Sequence, residues 1–320
     1  MKALLFLFFN LFFFFCVFSQ SVDISSLFQP GVRVGGLFMP SHKVNDSVSY
    51  SMYRIRTTGI IPLNGKVNVD IGKLNIGARQ SFLTLNAGVR ETKFSPVPSS
   101  NLIYNFALGF TQFRASLASG IWVYHARVSF DNDLKSDRNS FVNVLGGGAK
   151  IYIKGINKIN VLGFGVIYDG RIIPFPVIGF RRQIAENFTM TVVLPVEATF
   201  NYKFGPKFET EFKASVTGLK TGFVVDSTNA QIHSKYWNGP VILSNYNLQA
   251  CLLFIYKPAK NFQIYAEGGI YPFFQLSLTE TNEKNKISKY NAFMAPYAGL
   301  TFRFNLGKFL FESQMFGTNE

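Results

Sequence analysis

Apolar and polar residues alternate from Val196 to Gly218, and the alternation predicts two paired β-strands. In the first half every second residue is apolar: Val196, Ala198, Phe200, Tyr202 and Phe204. The same pattern resumes after Gly205-Pro206. Because successive side chains of a strand point to opposite faces, each half has one apolar face and one charged face. Two such halves around a short Gly-Pro break predict an antiparallel hairpin.

Alternating segments of this kind recur along the whole chain and predict an all-β protein. Leu102–Phe110 and Trp122–Phe130, for example, are apolar at every second position. Between such segments, Asp131–Asn139 predicts an exposed loop, and Leu63-Asn64-Gly65-Lys66 predicts a tight hairpin because it contains Asn-Gly. The segments predict about 14 strands, an even number that places both termini at one end. Merging the short segments around Pro195 and discarding the first strand gives an alternative of about 12.

The first residues predict a secretory signal peptide. Met1-Lys2 supplies a positive charge, Leu4–Phe18 is almost wholly apolar, and Val17-Phe18-Ser19 offers a cleavage site before Gln20. An uncleaved N-terminal anchor is the alternative. No apolar run of about 20 residues follows, so the sequence predicts no transmembrane helix.

An exported chain of amphipathic strands without a spanning helix is typical of an outer-membrane barrel. Only helices and closed barrels satisfy every backbone polar group inside a bilayer. We therefore predict a signal peptide at residues 1–19, a transmembrane antiparallel up-and-down β-barrel at 20–304 and a C-terminal tail at 305–320. The expected location is the outer membrane of a Gram-negative bacterium, and the expected state is a monomer.

The charge of the chain narrows the expected partners. The formal net charge is +14, and the basic residues are scattered rather than clustered. Anionic lipid head groups and lipopolysaccharide phosphates suit such a surface, whereas an exported protein is not expected to meet nucleic acid. A positive surface that is merely solvated is the alternative. Cys251 alone remains after signal cleavage, so no disulfide can form within the mature chain.

Charged positions on the polar faces of the predicted strands are the candidates for lining the lumen. They are Arg54, Arg56, His125, Arg127, Glu197, Lys203, Glu209, Glu211, Lys213, Glu267 and Arg303. Phe200, Tyr202, Phe212 and Val216 are assigned to lipid, because a Lys or Arg at the bilayer midplane costs about 2–4 kcal/mol. Since a wet lumen solvates charges, Lys213→Ala is expected to leave folding nearly unchanged.

Two interpretations of the lumen charges remain open. In the first, the charges pair with one another and fill a small interior, as happens in barrels of about 8 strands. In the second, they surround a polar pore that is narrower than the channel of porins with about 16 to 18 strands.

His125 is the residue that most invites a catalytic interpretation. Ser129 shares its face but lies about 13 Å away, because a strand rises about 3.3 Å per residue. A nucleophile and its base must approach to about 3 Å, so any nucleophile would have to come from a neighbouring strand. We therefore predict a polar lumen residue at His125, and no catalytic, cofactor-binding or metal-binding residues. His42 and His233 lack metal-ligand spacing with it.

The last predicted strand ends in a Gly-x-x-apolar-x-apolar pattern, Gly299-Leu300-Thr301-Phe302-Arg303-Phe304. The pattern resembles the terminal signal read by the barrel-assembly machinery of Gram-negative outer membranes, with Gly299, Phe302 and Phe304 at the matching positions. The resemblance implies insertion by that machinery. Asn305–Glu320 follows the pattern, whereas many barrels stop at the aromatic residue, so Phe309–Phe316 stays a candidate for a further pairing segment.

Four short segments within Gly163–Phe223 carry a second likeness: Gly163–Tyr168, Pro176–Gly179, Leu194-Pro195 and Phe200–Tyr202. Together they resemble an uncharacterised family of outer-membrane barrels known by a domain-of-unknown-function label. The resemblance implies a barrel fold and brings no catalytic residues.

The sequence predicts a narrow outer-membrane channel or transporter for small solutes, and not an enzyme. A structural or adhesive barrel with a filled lumen, acting through its outer loops, is the first alternative. An outer-membrane lipid-modifying enzyme is the second. Conductance in planar bilayers separates a channel from a filled barrel, and loss of lipid turnover in His125→Ala would mark the enzyme.

Overall fold

The computed structural model describes residues 30–43, 49–70, 75–95, 99–116, 120–135, 141–155, 157–225, 239–280 and 286–306. The predicted signal peptide and the predicted tail beyond Leu306 lie outside these ranges. Every regular element within them is a β-strand. None of the described residues forms a helix that is long and apolar enough to cross a membrane.

The strands follow one another along the chain with short connections at one end. They are β1 (Gly31–Lys43), β2 (Ser49–Asp70), β3 (Asn75–Ser95), β4 (Ser99–Ser116), β5 (Gly120–Asn132), β6 (Phe141–Ile153), β7 (Lys158–Tyr168), β8 (Ile172–Ala185), β9 (Phe188–Leu194), β10 (Glu197–Lys203), β11 (Phe208–Val225), β12 (Gly239–Ala259), β13 (Phe262–Glu280), β14 (Lys286–Ala292) and β15 (Ala295–Asn305).

The sheet closes on itself through its first and last strands. Neighbours in sequence are antiparallel neighbours in space, and β1 pairs with β15 from Gly31 opposite Asn305 onwards. β14 and β15 both pair with β13 and form one strand that is interrupted at Phe293-Met294. The barrel therefore has 14 strands, so the predicted all-β antiparallel barrel is confirmed and the alternative of about 12 strands is wrong.

Large apolar side chains cover the outside of the barrel. Phe106, Phe130 and Phe164 are 51%, 48% and 54% exposed. They alternate along their strands with buried or half-buried residues that point inward. An outer surface of this kind matches hydrocarbon rather than water.

Three apolar clusters occupy much of the interior. We call the end where β1 begins and β15 finishes the terminal end, and the opposite end the loop end. The upper cluster lies towards the loop end and consists of Leu37, Met39, Tyr50, Met52, Ile103, Leu243, Cys251, Tyr271, Phe274, Leu276, Ala295 and Tyr297. The lower cluster lies towards the terminal end and consists of Ile60, Phe82, Phe113, Ile151 and Ile159. The side cluster consists of Leu145, Ile167 and Phe175.

One half of β11 leaves the wall and enters the interior. Pairing of β11 with β10 stops at Ser215, because β10 is short and begins only at Glu197. From Val216 to Val225, the strand keeps β12 as its hydrogen-bonded neighbour in the sheet. We call this part the inward segment; β8, on the far side of β9 and β10, pairs with β9 only from Ile178 onwards. β11 also contacts β4, β5 and β6, which lie across the barrel from it.

The inward segment overturns one face assignment. The alternation that Val216 shares with Phe212 predicts a side chain that faces lipid, but Val216 packs against the side cluster in the interior. Val216 N still donates a 3.1 Å hydrogen bond to Val196 O, but beyond this bond no residue of β10 holds the strand in the wall. Phe212 and Tyr202 lie in the wall and are 45% and 43% exposed.

Two predicted connections are also wrong. Asn64-Gly65 lies inside β2, opposite Ser81 and Gln80 of β3, with a register shift between Pro62 and Asn64. Extended pairing with β3 outweighs the local turn preference of Asn-Gly. Asp131 belongs to β5 rather than to an exposed loop, and it is only 2% exposed.

Candidate functional site

A polar cavity of about 80 Å³ lies between the apolar clusters. β2, β3, β4, β5, β6, β11, β12 and β13 all contribute to its wall. The polar residues that line it are Arg54, Arg56, Arg90, Asn105, Arg127, Ser129, Asp131, Asn143, Lys220, Asn245, Asn247 and Tyr271. Ligand pockets for drug-sized molecules measure about 300–1,000 Å³. This cavity therefore has room for a few water molecules or for one small solute.

Four arginines converge on the cavity from three strands. Arg54 and Arg56 are two residues apart on β2, so both point inward. Arg90 on β3 and Arg127 on β5 complete the group. Asp131 is the one carboxylate among the lining residues. The cavity is therefore strongly cationic.

Asparagine amides hold the Asp131 carboxylate. Asn105 Nδ2 donates a hydrogen bond of 2.8 Å to Asp131 Oδ1. Asn143 Nδ2 donates one of 3.4 Å to Asp131 Oδ2. Asp131 also interacts electrostatically with Arg90 and Arg127. One carboxylate thus serves two guanidinium groups and two amides.

Two of the cavity cations are tied to the wall. Arg56 Nη2 donates a 2.9 Å hydrogen bond to Asn86 Oδ1, which also accepts one of 2.7 Å from Thr58 Oγ1. Lys220, on the inward segment, donates a 2.5 Å hydrogen bond to the backbone oxygen of Asp169. Its ammonium lies 4.8 Å from the centre of the Phe141 ring. Lys220 therefore joins the inward segment to the β7–β8 turn.

The Asp169 side chain lies in that turn. Burial raises the pKa of its carboxyl, while the charges of Lys220 and Arg171 oppose the rise. The backbone oxygen, rather than the carboxylate, accepts the Lys220 hydrogen bond.

The opposite wall carries charges that are matched in pairs. Lys213 Nζ lies 3.1 Å from Glu197 Oε2, and the Glu197 side chain is only 3% exposed. Lys257 Nζ lies 2.5 Å from Glu209 Oε1. The Lys213–Glu197 pair links neighbouring strands β10 and β11, and Glu209 and Lys257 link β11 with β12. These pairs connect neighbouring strands of the wall, and neither pair carries a net charge.

Gly299 makes room for a carboxylate at the closing seam. A Cβ at this position would lie 2.5 Å from Oε1 of Glu267 on the neighbouring strand β13. Phe302 and Phe304, the other two residues of the terminal pattern, are 38% and 50% exposed on the outer surface. The pattern thus combines an inward glycine with outward aromatic rings.

His125 does not form a catalytic arrangement with an accessible nucleophile. Its Nδ1 lies 2.9 Å from Thr111 Oγ1 on the neighbouring strand β4. Thr111 is completely buried, so a substrate cannot reach its hydroxyl in this conformation. No acidic group is hydrogen-bonded to His125 Nε2 among the described residues. Nor do three His, Cys, Asp or Glu side chains come together as a metal site in this part of the chain.

The candidates named from the sequence are distributed over the whole interior. Arg54, Arg56 and Arg127 meet at the cavity. Glu197, Lys213 and Glu209 form the ion pairs of the opposite wall, Arg303 is 2% exposed near the terminal end, and Lys203 is exposed at the end of β10. Glu211 and Glu267 are half-buried on β11 and β13.

Arg90, Lys220 and Asp131 line the cavity but are not among the candidates predicted from the sequence. The alternation of Leu83, Leu85, Ala87 and Val89 with polar residues could have placed Arg90 on the inner face. No such signal exists for Lys220, because it shares the parity of the outward Phe212. Asp131 is followed by a run of polar residues, so the sequence predicts that it belongs to an exposed loop.

One family model covers nearly the whole barrel. The model described as Domain of unknown function (DUF6268) matches residues 16–307. The chain belongs to this family. The match of the DUF6268 model includes all four strand segments that carried the family resemblance.

Several solved structures align with most of this DUF6268 chain at low similarity. The TodX monoaromatic hydrocarbon channel, as its deltaS2 mutant, is 10% identical, with a TM-score of 0.26 over 88% of this chain and 90% of that chain. The siderophore receptor PirA from Pseudomonas aeruginosa is 8% identical, with a TM-score of 0.23 over 87% and 80%. The toluene transporter TodX from Pseudomonas putida is 7% identical, with a TM-score of 0.17 over 90% and 95%. No curated protein matches the chain. TM-scores this low do not show a shared fold. The barrel fold of this chain is shown by its own strand pairing.

Proposed function

We propose that the protein is an outer-membrane β-barrel that conducts small solutes through its lumen, and that it is not an enzyme. The observation that carries the proposal is the polar cavity inside a closed barrel with an apolar outer surface. A barrel that served only as a scaffold could fill this space with apolar side chains, which avoids the cost of burying charges. In a channel, by contrast, charged groups around a cavity attract a solute of opposite charge as it passes through the lumen.

The inward segment is the proposed gate. The upper and lower clusters fill part of the lumen on either side of the cavity, and we propose that this packing is the closed state of the channel. The inward segment has one strand partner, and a strand with one free edge moves at a lower cost than one paired on both sides. Its return to the wall beside β8 would widen the lumen.

Replacing Lys220 with methionine is expected to favour the open state. The substitution keeps the apolar stem but removes the 2.5 Å hydrogen bond to Asp169. A hydrogen bond to a charged group contributes about 1.5–3 kcal/mol, so the open fraction should rise about tenfold or more. Single-channel recording in planar bilayers measures this fraction.

Lys203→Met is the matched control, because Lys203 is exposed and lies away from the cavity. It should conduct as the unaltered protein does. Equal open fractions for all three proteins would contradict the gate while leaving a channel in place. If neither the unaltered protein nor Lys220→Met conducts, the channel proposal itself fails.

A structural or adhesive barrel is the second candidate function. The observation that favours it is the packing of the interior. The ring centres of Tyr50 and Phe274, for example, lie 5.1 Å apart, and both side chains are almost completely buried. A permanently filled lumen would conduct nothing, and function would then fall to the connections at the loop end. The bilayer recordings therefore decide between the two candidates.

The outer membrane of a Gram-negative bacterium is the proposed location, with lipid and lipopolysaccharide as surroundings and the barrel-assembly machinery as the route of insertion. The exposed rings of Phe302 and Phe304 support this, because they present the aromatic part of the terminal pattern to the outside. We propose a monomer, since the barrel closes within one chain.

A further inference from the structure

We propose that the cationic cavity binds a small oxyanion, of the size of phosphate, sulfate or a short carboxylate. This inference deepens the proposed function and rests on it for the route by which the anion enters. The cavity itself is a binding site that can be tested without any measurement of transport.

Charge is the first reason. Arg54, Arg90 and Arg127 line the cavity together, and Arg90 lies close enough to Arg54 for their charges to interact unfavourably. Asp131 is the one lining residue that can offset them. Guanidinium groups stay protonated at all relevant pH values, so the cluster cannot relieve its repulsion by releasing protons. A bound anion can relieve it.

Hydrogen-bonding capacity is the second reason. Nε of Arg127 is buried and has no hydrogen-bond partner among the described residues. A buried donor without a partner is costly, and an oxyanion supplies the acceptor that it lacks. The planar guanidinium group also suits two oxygen atoms of one carboxylate or phosphate group.

Size is the third reason. A cavity of about 80 Å³ is too small for a nucleotide, a sugar chain or a lipid tail. Apolar side chains of the upper cluster, such as Met52 and Ile103, border it directly and limit its extent. The occupant is therefore a compact anion of a few non-hydrogen atoms.

The carboxylate of Asp131 competes with this anion for the arginines. Its two oxygen atoms already accept hydrogen bonds from Asn105 and Asn143, so it is fixed in place. Asp131→Asn retains the shape of the side chain and removes its negative charge. The inference thus requires opposite effects from two kinds of substitution in one cavity.

The first experiment titrates the detergent-refolded full barrel with inorganic phosphate by calorimetry. Arg127→Gln should weaken phosphate binding by about 10-fold or more, since a hydrogen bond to a charged group contributes about 1.5–3 kcal/mol. Asp131→Asn should strengthen binding. Lys203→Gln, which removes an exposed charge outside the cavity, should leave it unchanged. Gel mobility without and with boiling shows that each variant has folded.

The second experiment measures the reversal potential of the same proteins in a salt gradient. Phosphate binding together with anion-selective conductance supports both the site and the channel. Binding without conductance supports the site and overturns the channel. Conductance without phosphate binding supports the channel and overturns the site. Equal binding by the unaltered protein, Arg127→Gln and Asp131→Asn would also overturn the site, because it would place the phosphate elsewhere on this basic protein.

Discussion

Lys213→Ala is expected to destabilise the folded barrel by about 3–5 kcal/mol. The substitution removes an ammonium that lies 3.1 Å from the carboxylate of Glu197, whose side chain is only 3% exposed. A buried carboxylate that loses its cation keeps its desolvation cost and loses the compensating attraction. Urea titration of the refolded protein, followed by tryptophan fluorescence, measures the free energy of unfolding.

This result would reverse the expectation from the sequence, in which Lys213 was a solvated lumen residue and its removal nearly neutral. Lys203→Ala is the matched control, because Lys203 also lies on the charged face of the hairpin but is exposed. It should change the free energy of unfolding by less than about 1 kcal/mol. A double variant, Glu197→Gln with Lys213→Ala, should recover part of the loss. If Lys213→Ala and Lys203→Ala unfold alike, the buried pair has no special role.

Ile178→Arg is expected to lower the stability of the membrane-inserted barrel by about 2–4 kcal/mol. Ile178 lies in the middle of β8 and is 54% exposed on the outer surface, beside the similarly exposed Leu162 of β7. An arginine there would face hydrocarbon, where its charge loses hydration. Folding into lipid vesicles, followed by the gel shift between unboiled and boiled samples, measures the loss.

Ile184→Arg supplies a control of the same chemistry on the same strand. Ile184 is 60% exposed and lies one residue before the end of β8. Near a membrane interface the cost of an arginine falls to about 0–1 kcal/mol. Equal losses for Ile178→Arg and Ile184→Arg would mean that β8 does not cross a bilayer. A protein that stays soluble and folded without detergent would contradict the outer-membrane proposal as a whole.

The contrast between the two walls bears on how the interior works. Lys213 and Glu197 neutralise each other on one side, whereas Arg90 and Arg127 share Asp131, the one carboxylate among the residues that line the cavity, on the other. If all interior charges were paired, the structure would favour the first interpretation of the lumen charges, in which they pair with one another and fill the interior. The unequal distribution supports a site for an anion, and the inward segment that carries Lys220 lies against that site.

Alternation along single strands was sufficient to predict the fold and some of the residues that line the lumen. Arg54, Arg56 and Arg127 were placed on inner faces because a strand sends every second side chain to the same side. Local turn preference was less reliable, as Asn64-Gly65 shows, because pairing with a long neighbouring strand decides whether a turn forms. The predicted outward orientation of Val216 is wrong for a related reason. Alternation separates inward from outward side chains only while a strand remains in the wall.

The sequence by itself determined the all-β class, the approximate strand number and the apolar outer surface, because each depends on a repeating pattern within short segments. The tertiary structure alone decided which charges meet. Arg54, Arg90 and Arg127 come from three strands, and Lys220 reaches them only because β11 turns inward above Ser215. Closing the sheet brings together residues that are far apart along the chain. The spacing of one strand contains no information about the strand across the lumen.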